Sequence, residues 1–526
     1  MNFLKRWVLK WLGFYPAQER YIRIQEALTH KDQVLMNRIW YRGDPAELKQ
    51  FYESLGHAYG NDSRFWAVVP PVGQTIRKIH TGLPSLIIDM LNDITNDDCL
   101  GITFWDNLDK HEQSKVQEIW DEIAKDNDFL VLQKDATRIV LAEGDVAFKI
   151  SIDTEISQYP IIEVYPPDQF EPVYKRGRLY EIKFYTYYEH ENATYKLTEE
   201  YGKGYIRCKL FKLSEDEKET EVPLNTIPEL EDLAEEVTFN GDFMMATHLR
   251  LNKSSKFPNR GKALLETKYD TFDALDEVVS QWLDAVRLGR VNKFIPEDLV
   301  PRDSDGNKIM PNPITNQFLV MGKGNIVSEE GAQQGPEVTQ PDIKADQYLA
   351  SYIQFLDMAV QGIISPSTLG IDVKKLDNSE AQREKEKATL YTRNKIITAL
   401  EKSMPKLAEA IMKTYDNMKG RTPGDYTATI EFGEYANPSF EAKVETIGKA
   451  VASGIMSIEK AVDELYGDNL TDEEKELEVQ RIKEQNSFST GEGMFGGMDF
   501  FDFGDEEEQP IETQETTDNQ DEEEDS

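Results

Sequence analysis

The sequence predicts an α+β multidomain protein, and three observations carry that expectation. At 526 residues the chain is long for one compact core, so about three domains are expected. Its hydrophobic period changes along the chain, from helical spacing to alternation and back. Two apolar-striped helical segments then flank an irregular, proline-rich insert. With 39% hydrophobic and 30% charged residues, there is enough apolar material for a large core.

Residues 17–128 read as mostly helical. Asp44 is a good N-cap, with Pro45 in the first turn and Glu47 three residues on; Leu48, Phe51, Tyr52 and Leu55 share a face that Gly56 closes. Residues 84–91 predict a second helix with Leu86, Ile87, Met90 and Leu91 inward. Residues 110–125 predict a third, with Val116, Ile119, Trp120 and Ile123 on one side.

Residues 129–250 read as β-rich. The β-branched runs 138–141 and 146–152 are joined by Glu143-Gly144-Asp145, a hairpin signal. Residues 161–165, 180–188, 195–197 and 205–211 continue as strands whose aromatic residues pair across the sheet.

Residues 262–288 carry Leu265, Tyr269, Phe272, Leu275, Val279, Trp282 and Val286 at three- and four-residue steps, a helix of roughly 40 Å ended by Gly289. Six prolines and the turn Asp303-Ser-Asp305-Gly306 follow in 290–341, where 317–321 suits a short strand. Residues 343–361 then predict a second helix, with Tyr348, Leu349, Tyr352, Phe355, Leu356 and Ala359 on one stripe. Gly362, Pro366 and Gly370 break that pattern before Lys374 and Lys375. Ser379 and Gln382 form a capping box for a helix reaching about residue 419, with Ile396, Leu400, Leu407 and Ile411 apolar and a kink expected near Pro405. A strand at 426–432 and helices from Pro438-Ser439, at 458–466 and after Thr471 complete the ordered part. Composition predicts disorder from residue 487 onward. Within that tail, Met494, Phe495, Phe500, Phe501 and Phe503 read either as a docking motif or as a solvated segment.

The net charge is −38. From Asp499 onward 14 acidic and no basic residues occur, which leaves about −24 on the rest. A surface so negative is not expected to grip nucleic acid by phosphate neutralisation, which needs clustered Lys and Arg. It suits DNA that slides past without sticking. Cys99 and Cys208 are the two cysteines, which excludes a disulfide framework and fits a reduced intracellular origin. No run of about 18 apolar residues occurs, so no membrane span is expected. Residues 1–16 mimic a signal peptide, but Lys10 interrupts the apolar run and no cleavage site follows. They read as an amphipathic helix for a surface, or as an arm on the protein's own assembly.

Catalytic signatures are missing. There is no GxxxxGK[ST] loop, no HExxH among the six histidines and no GxSxG; Gly306 comes too early for an EF-hand. The expectation is a protein that is not an enzyme and has no cofactor or metal. A nuclease using carboxylate-bound metal is the enzymatic rival.

Several segments, taken together, carry a resemblance. They are Asn37 to Tyr52; Arg77 to His80 with Leu83-Pro84 and Ile87-Ile88-Asp89; and the helix–insert–helix of 269–361. They continue with Ile364-Ser365-Pro366 through Ala381, and with Gly454 to Ser457 followed by Ala461-Val462 and Tyr466-Gly467. In that order, over nearly all of 30–485, they resemble the portal proteins of tailed bacteriophages.

The resemblance implies an N-terminal arm at 1–16, a wing at 17–260, a stem helix at 261–289 and a clip at 290–341. A second stem helix at 342–361 and a tunnel loop at 362–378 follow. Next come a long kinked helix with a wing strand at 379–435, a helical crown at 436–486 and an acidic tail at 487–526. It implies a ring, usually of twelve subunits, at one capsid vertex of the virion, assembled in the host cytoplasm. Double-stranded DNA would be packaged and ejected through its channel. Implied partners are the terminase large subunit, the head–tail adaptor, the major capsid protein and scaffold protein. Lys374 and Lys375 are then the candidates for a DNA-facing tunnel loop, against the plainer reading of a solvated loop. A non-portal structural or scaffold protein of a virion is the alternative.

Overall fold

The computed structural model describes residues 28–55, 63–69, 76–105, 110–214, 218–289, 292–296, 300, 302–309, 318–321, 337–339, 342–371, 379–433, 440–466 and 472–490. The chain divides into two units, 1–435 and 436–526.

Short polar side chains start the first helices by satisfying their free N–H groups. Helix α1 (His30–Arg42) opens at Thr29, whose hydroxyl accepts from Asp32 N at 3.2 Å while Asp32 accepts from Thr29 N at 3.1 Å. It closes at Gly43 in the left-handed region, φ 68°. Helix α2 (Pro45–Ser54) has Asp44 accepting from Ala46 N at 2.7 Å. Helix α3 (Leu83–Asn96), strand β1 (Cys99–Trp105), α4 (Lys110–Asp126) and α5 (Phe129–Glu143) follow.

Two antiparallel sheets come next. Strands β2 (Asp145–Ser151) and β3 (Ile161–Tyr165) pair directly. Strands β4 (Phe170–Lys175), β5 (Arg178–His190), β6 (Ala193–Gly202), β7 (Tyr205–Leu213) and β8 (Glu219–Val222) lie in sequence order, and β9 (Glu236–Thr238) adds to β7. Strand β10 (Ala246–Arg250) returns to the first sheet beside β2, giving the order β10-β2-β3. Strands β11 (Asn252–Lys253) and β12 (Gly261–Lys262) form a small ladder.

Helix α6 (Tyr269–Leu288) leads into a three-stranded sheet of β13 (Asn292–Pro296), β14 (Phe318–Met321) and β15 (Glu337–Thr339) in the order β14-β13-β15. Helix α7 (Ala345–Val360) packs back along α6, with Trp282 stacked on Tyr348 at 6.4 Å and 5°. Helix α8 (Ser379–Met418) is 40 residues long, and β16 (Thr427–Phe432) returns to pair with β1. Pro405 lies inside α8, fully buried, where it cannot donate to the helical ladder. The second unit holds α9 (Phe440–Ala452), α10 (Ile458–Tyr466) and α11 (Asp472–Thr490).

Most buried apolar side chains of the first unit join one core, centred on Trp40. Its ring stacks on Tyr269 at 5.4 Å and 11°, and its Nε1 donates to the Tyr52 hydroxyl at 2.9 Å. Tyr195, Leu197, Cys208, Leu210, Leu224, Ile227 and Leu230 form a smaller cluster on the larger sheet. Burial there pushes the Cys208 thiol up to about 11.

The fold corrects several expectations. Residues 138–141 end helix α5 rather than form a strand, because Thr137, Val140 and Leu141 turn onto one buried helical face. Gly144 (φ 118°) therefore closes a helix instead of a hairpin. Residues 99–105 are a strand, since β1 finds its partner over 300 positions away in β16. Helix α6 begins at Tyr269, so it measures about 30 Å for its 20 residues. Leu86 is exposed at 40% instead of inward. Residues 487–490 belong to α11. The 303–306 turn, the strands at 161–165 and 318–321 and the helix at 458–466 are as expected, with Asp303 accepting from Asp305 N and Asn307 N. The cap at Thr471, the helix start at Pro438-Ser439 and the stops at Gly56 and Gly467 lie outside the described residues, as do the side chains of the Ser379 and Gln382 cap. So do the arm at 1–16 and the tail from 491.

Candidate functional site

Lys374 and Lys375 also lie outside the described residues. Cations nevertheless gather elsewhere, and helix α8 supplies the first wall. At about 100° per residue, Lys395, Lys402, Lys406 and Lys413 fall within roughly 40° of one another. Ile396, Leu400, Met404, Leu407 and Ile411 occupy the opposite face, and all five are buried. The core therefore seats α8 with its lysine stripe outward. The stripe runs about 27 Å at 1.5 Å per residue. Lys387 lines the same cleft about two turns earlier, some ~80° round the helix from the stripe.

The facing wall comes from the β region. Arg178 opens β5, Lys203 sits in the β6–β7 turn, Arg250 ends β10 and Lys253 lies on β11. Between the walls is a cleft of about 1670 Å³. Among the described residues, only Asp242 and Glu409 bring acidic groups to it, against nine cations. Asp242 is neutralised by Lys203 at 2.9 Å. Burial raises the Glu409 carboxyl above its usual range, although Ala428 N, Lys413 and Lys406 oppose the shift. None of Lys395, Lys402, Lys406 and Lys413 has an ion-pair partner among the described residues. The Tyr391 ring is 65% exposed beside them, which puts an aromatic face among the charges.

The floor is held by a buried polar chain. His248 Nδ1 lies 2.9 Å from the Tyr174 hydroxyl and Nε2 lies 3.1 Å from Asp145 Oδ2, which also accepts from Gly261 N at 2.8 Å. Burial depresses the His248 imidazole. A neutral ring then accepts from Tyr174 at Nδ1 and donates to Asp145 through Nε2–H. Burial by itself would raise Asp145. The His248 hydrogen bond, the Arg260 charge and Gly261 N outweigh it and hold the carboxyl below the usual range. Among the described residues no serine, threonine or cysteine joins this chain of groups, which braces the floor of the cleft. Among the described residues, no group of three or more His, Cys, Asp and Glu could hold a metal ion. None of their helices is long and apolar enough to cross a membrane.

The cleft can attract and hold polyanionic chemistry. This corrects the expectation that a chain of net charge −38 offers no clustered cations. The signal was present in the 7, 4 and 7 residue steps between the α8 lysines. It was outweighed by the total.

No protein-family model and no curated protein matches the chain. Solved structures do. One chain from the virion of a native gene transfer agent particle is 10% identical and covers 88% of this chain and 99% of its own length, with a TM-score of 0.37. Chains from the neck of the empty particle, computed with C6 symmetry, and of the native particle, computed with C12 symmetry, are 11% and 9% identical. Each covers 73% of this chain and 90% of its own length, with TM-scores of 0.37 and 0.34.

Proposed function

We propose that this chain is a portal subunit: one member of a ring through which a phage-like particle packages and releases double-stranded DNA. The observation that carries the reading is the α6–α7 helix pair. It is capped by a three-stranded sheet and followed by a loop and a 40-residue helix. The pair is well buried at its inner end, where Phe272, Leu275, Leu356 and Ala359 are sealed. Away from that contact Val286, Leu349 and Met358 are 44%, 46% and 51% exposed. Apolar side chains left half-wet in the single chain suit neighbours packed around a ring.

In this reading residues 290–341 form the clip that docks the terminase and later the head–tail adaptor, and 436–486 form the crown. Twelve subunits sit at one capsid vertex, and Lys374 and Lys375 touch phosphates at the narrowest point. The chain is a conduit and docking ring with no catalytic role, and force comes from a separate motor.

Negative-stain microscopy of the purified full-length protein tests this. Closed rings with a central hole are expected; monomers or open filaments would overturn it, the latter favouring another structural protein of a virion. Alanine at both Lys374 and Lys375 should alter DNA packaging or retention while rings still form.

A further inference from the structure

The cationic cleft has an electrostatic counterpart on the same chain. Glu229, Glu231, Asp232, Glu235 and Glu236 fall within eight consecutive positions, and all five are exposed. Glu236 is engaged by Arg207 at 3.2 Å. The other four have no ion-pair partner among the described residues. The stretch is not a loose tether. Leu224, Ile227 and Leu230 anchor it in the small core of the larger sheet, and β9 ties its far end to β7.

We infer that in the assembled ring the cleft of each subunit receives residues 229–236 of the adjacent copy. The inference rests on the portal reading for the existence of a ring. Charge is the first reason, since four exposed acids without an ion-pair partner among the described residues meet the lysine row of α8. Position is the second. No residue of 229–238 lines the cleft of its own subunit, so the two surfaces stay unmatched within one chain. A complementary pair made by two separate surfaces of one subunit gives a head-to-tail contact, the kind that closes into rings.

A nucleic-acid occupant is the rival: nine cations can also neutralise phosphates, and the duplex titration below reads that outcome.

The experiment uses the full-length chain and four proteins: wild type, Lys402→Glu with Lys406→Glu, Glu231→Lys with Asp232→Lys, and all four changes together. Ring fraction against concentration is read by mass photometry at low and high salt, with thermal melting to verify folding. A fluorescent DNA duplex is titrated in parallel. Each half-reversed protein should need about tenfold or more concentration to form rings, and the combined protein should recover. Wild-type assembly should weaken with salt. Lys395→Glu with Lys402→Glu is a second cleft variant should the first melt early.

Wild-type rings indifferent to both reversals, or no recovery in the combined protein, overturn the inference and leave the portal reading standing. A wild-type chain that stays monomeric at every concentration overturns both. Loss of DNA binding in the cleft variants with unchanged rings assigns the cleft to nucleic acid instead.

Discussion

The carboxylate of Asp276 lies 2.7 Å from His80 Nδ1, and both side chains are sealed from water. Asp276 also accepts from Thr81 N at 2.9 Å, Thr81 Oγ1 at 3.0 Å and Trp66 Nε1 at 3.1 Å. One turn earlier Asp273 accepts from Phe65 N and Trp66 N. Two acids of α6 thereby fasten two segments that are themselves irregular, residues 65–66 and 80–81.

Asp276→Ala should lower unfolding stability by about 3 kcal/mol or more, because several buried donors lose their acceptor together. Urea unfolding measures it. Limited proteolysis should also cut near residues 65–81 in the variant first. Wild-type stability would show the network to be incidental.

Acid should weaken the first unit before it denatures the rest. Burial, then the Arg260 charge, lowers the His30 imidazole to about 4, and burial lowers His248. Both are neutral in the fold but gain a proton near 6.5 when unfolded. Their contribution is complete above about 6.5 and is lost as pH falls through the folded values. Each adds a slope of at most about 1.4 kcal/mol per pH unit in that window. Asp145, depressed in the fold, adds a further loss below about 4. Melting temperature should fall between pH 7.5 and 5, and His30→Gln should flatten that dependence.

Gly261 is where two backbones touch. A Cβ there would sit 2.1 Å from Gly144 O, and Gly261 N is a donor to Asp145 under the cleft. Gly261→Ala should cost about 2–4 kcal/mol in chemical denaturation. Gly177, whose Cβ would meet nothing within 4 Å though its φ is 77°, should tolerate alanine better.

Leu349→Glu addresses a half-exposed apolar side chain of α7. The monomer's melting should move little, by the equivalent of about 0.5 kcal/mol, since the side chain is already 46% exposed. Ring yield should drop at least about tenfold if a neighbour covers it, read by analytical ultracentrifugation. Equal ring yield would place the subunit contact elsewhere.

Much of the fold was legible because it is written in short-range periodicity. The α6, α7 and α10 helices, the strands from β5 to β7 and the 303–306 turn each follow from spacing within a dozen residues. The misreadings have one source, in that local pattern cannot report a distant partner. Residues 138–141 are β-branched enough for a strand, yet they continue the helix begun at Phe129. Strand β1 is short and follows a helix, and its partner β16 lies near the other end of the first unit.

The candidate site divides in the same way. By itself the sequence determined the helix–insert–helix order and the lysine stripe of α8, because a residue's place on a helix depends only on its number. Only the tertiary structure decided that this stripe faces Arg178, Lys203, Arg250 and Lys253. That meeting depends on β10 joining β2 a hundred residues away and on α8 packing its apolar face into the core. Net charge is a sum over the chain and discards where each sign lies. Folding sorted the signs, concentrating nine cations in one cleft of a chain of charge −38.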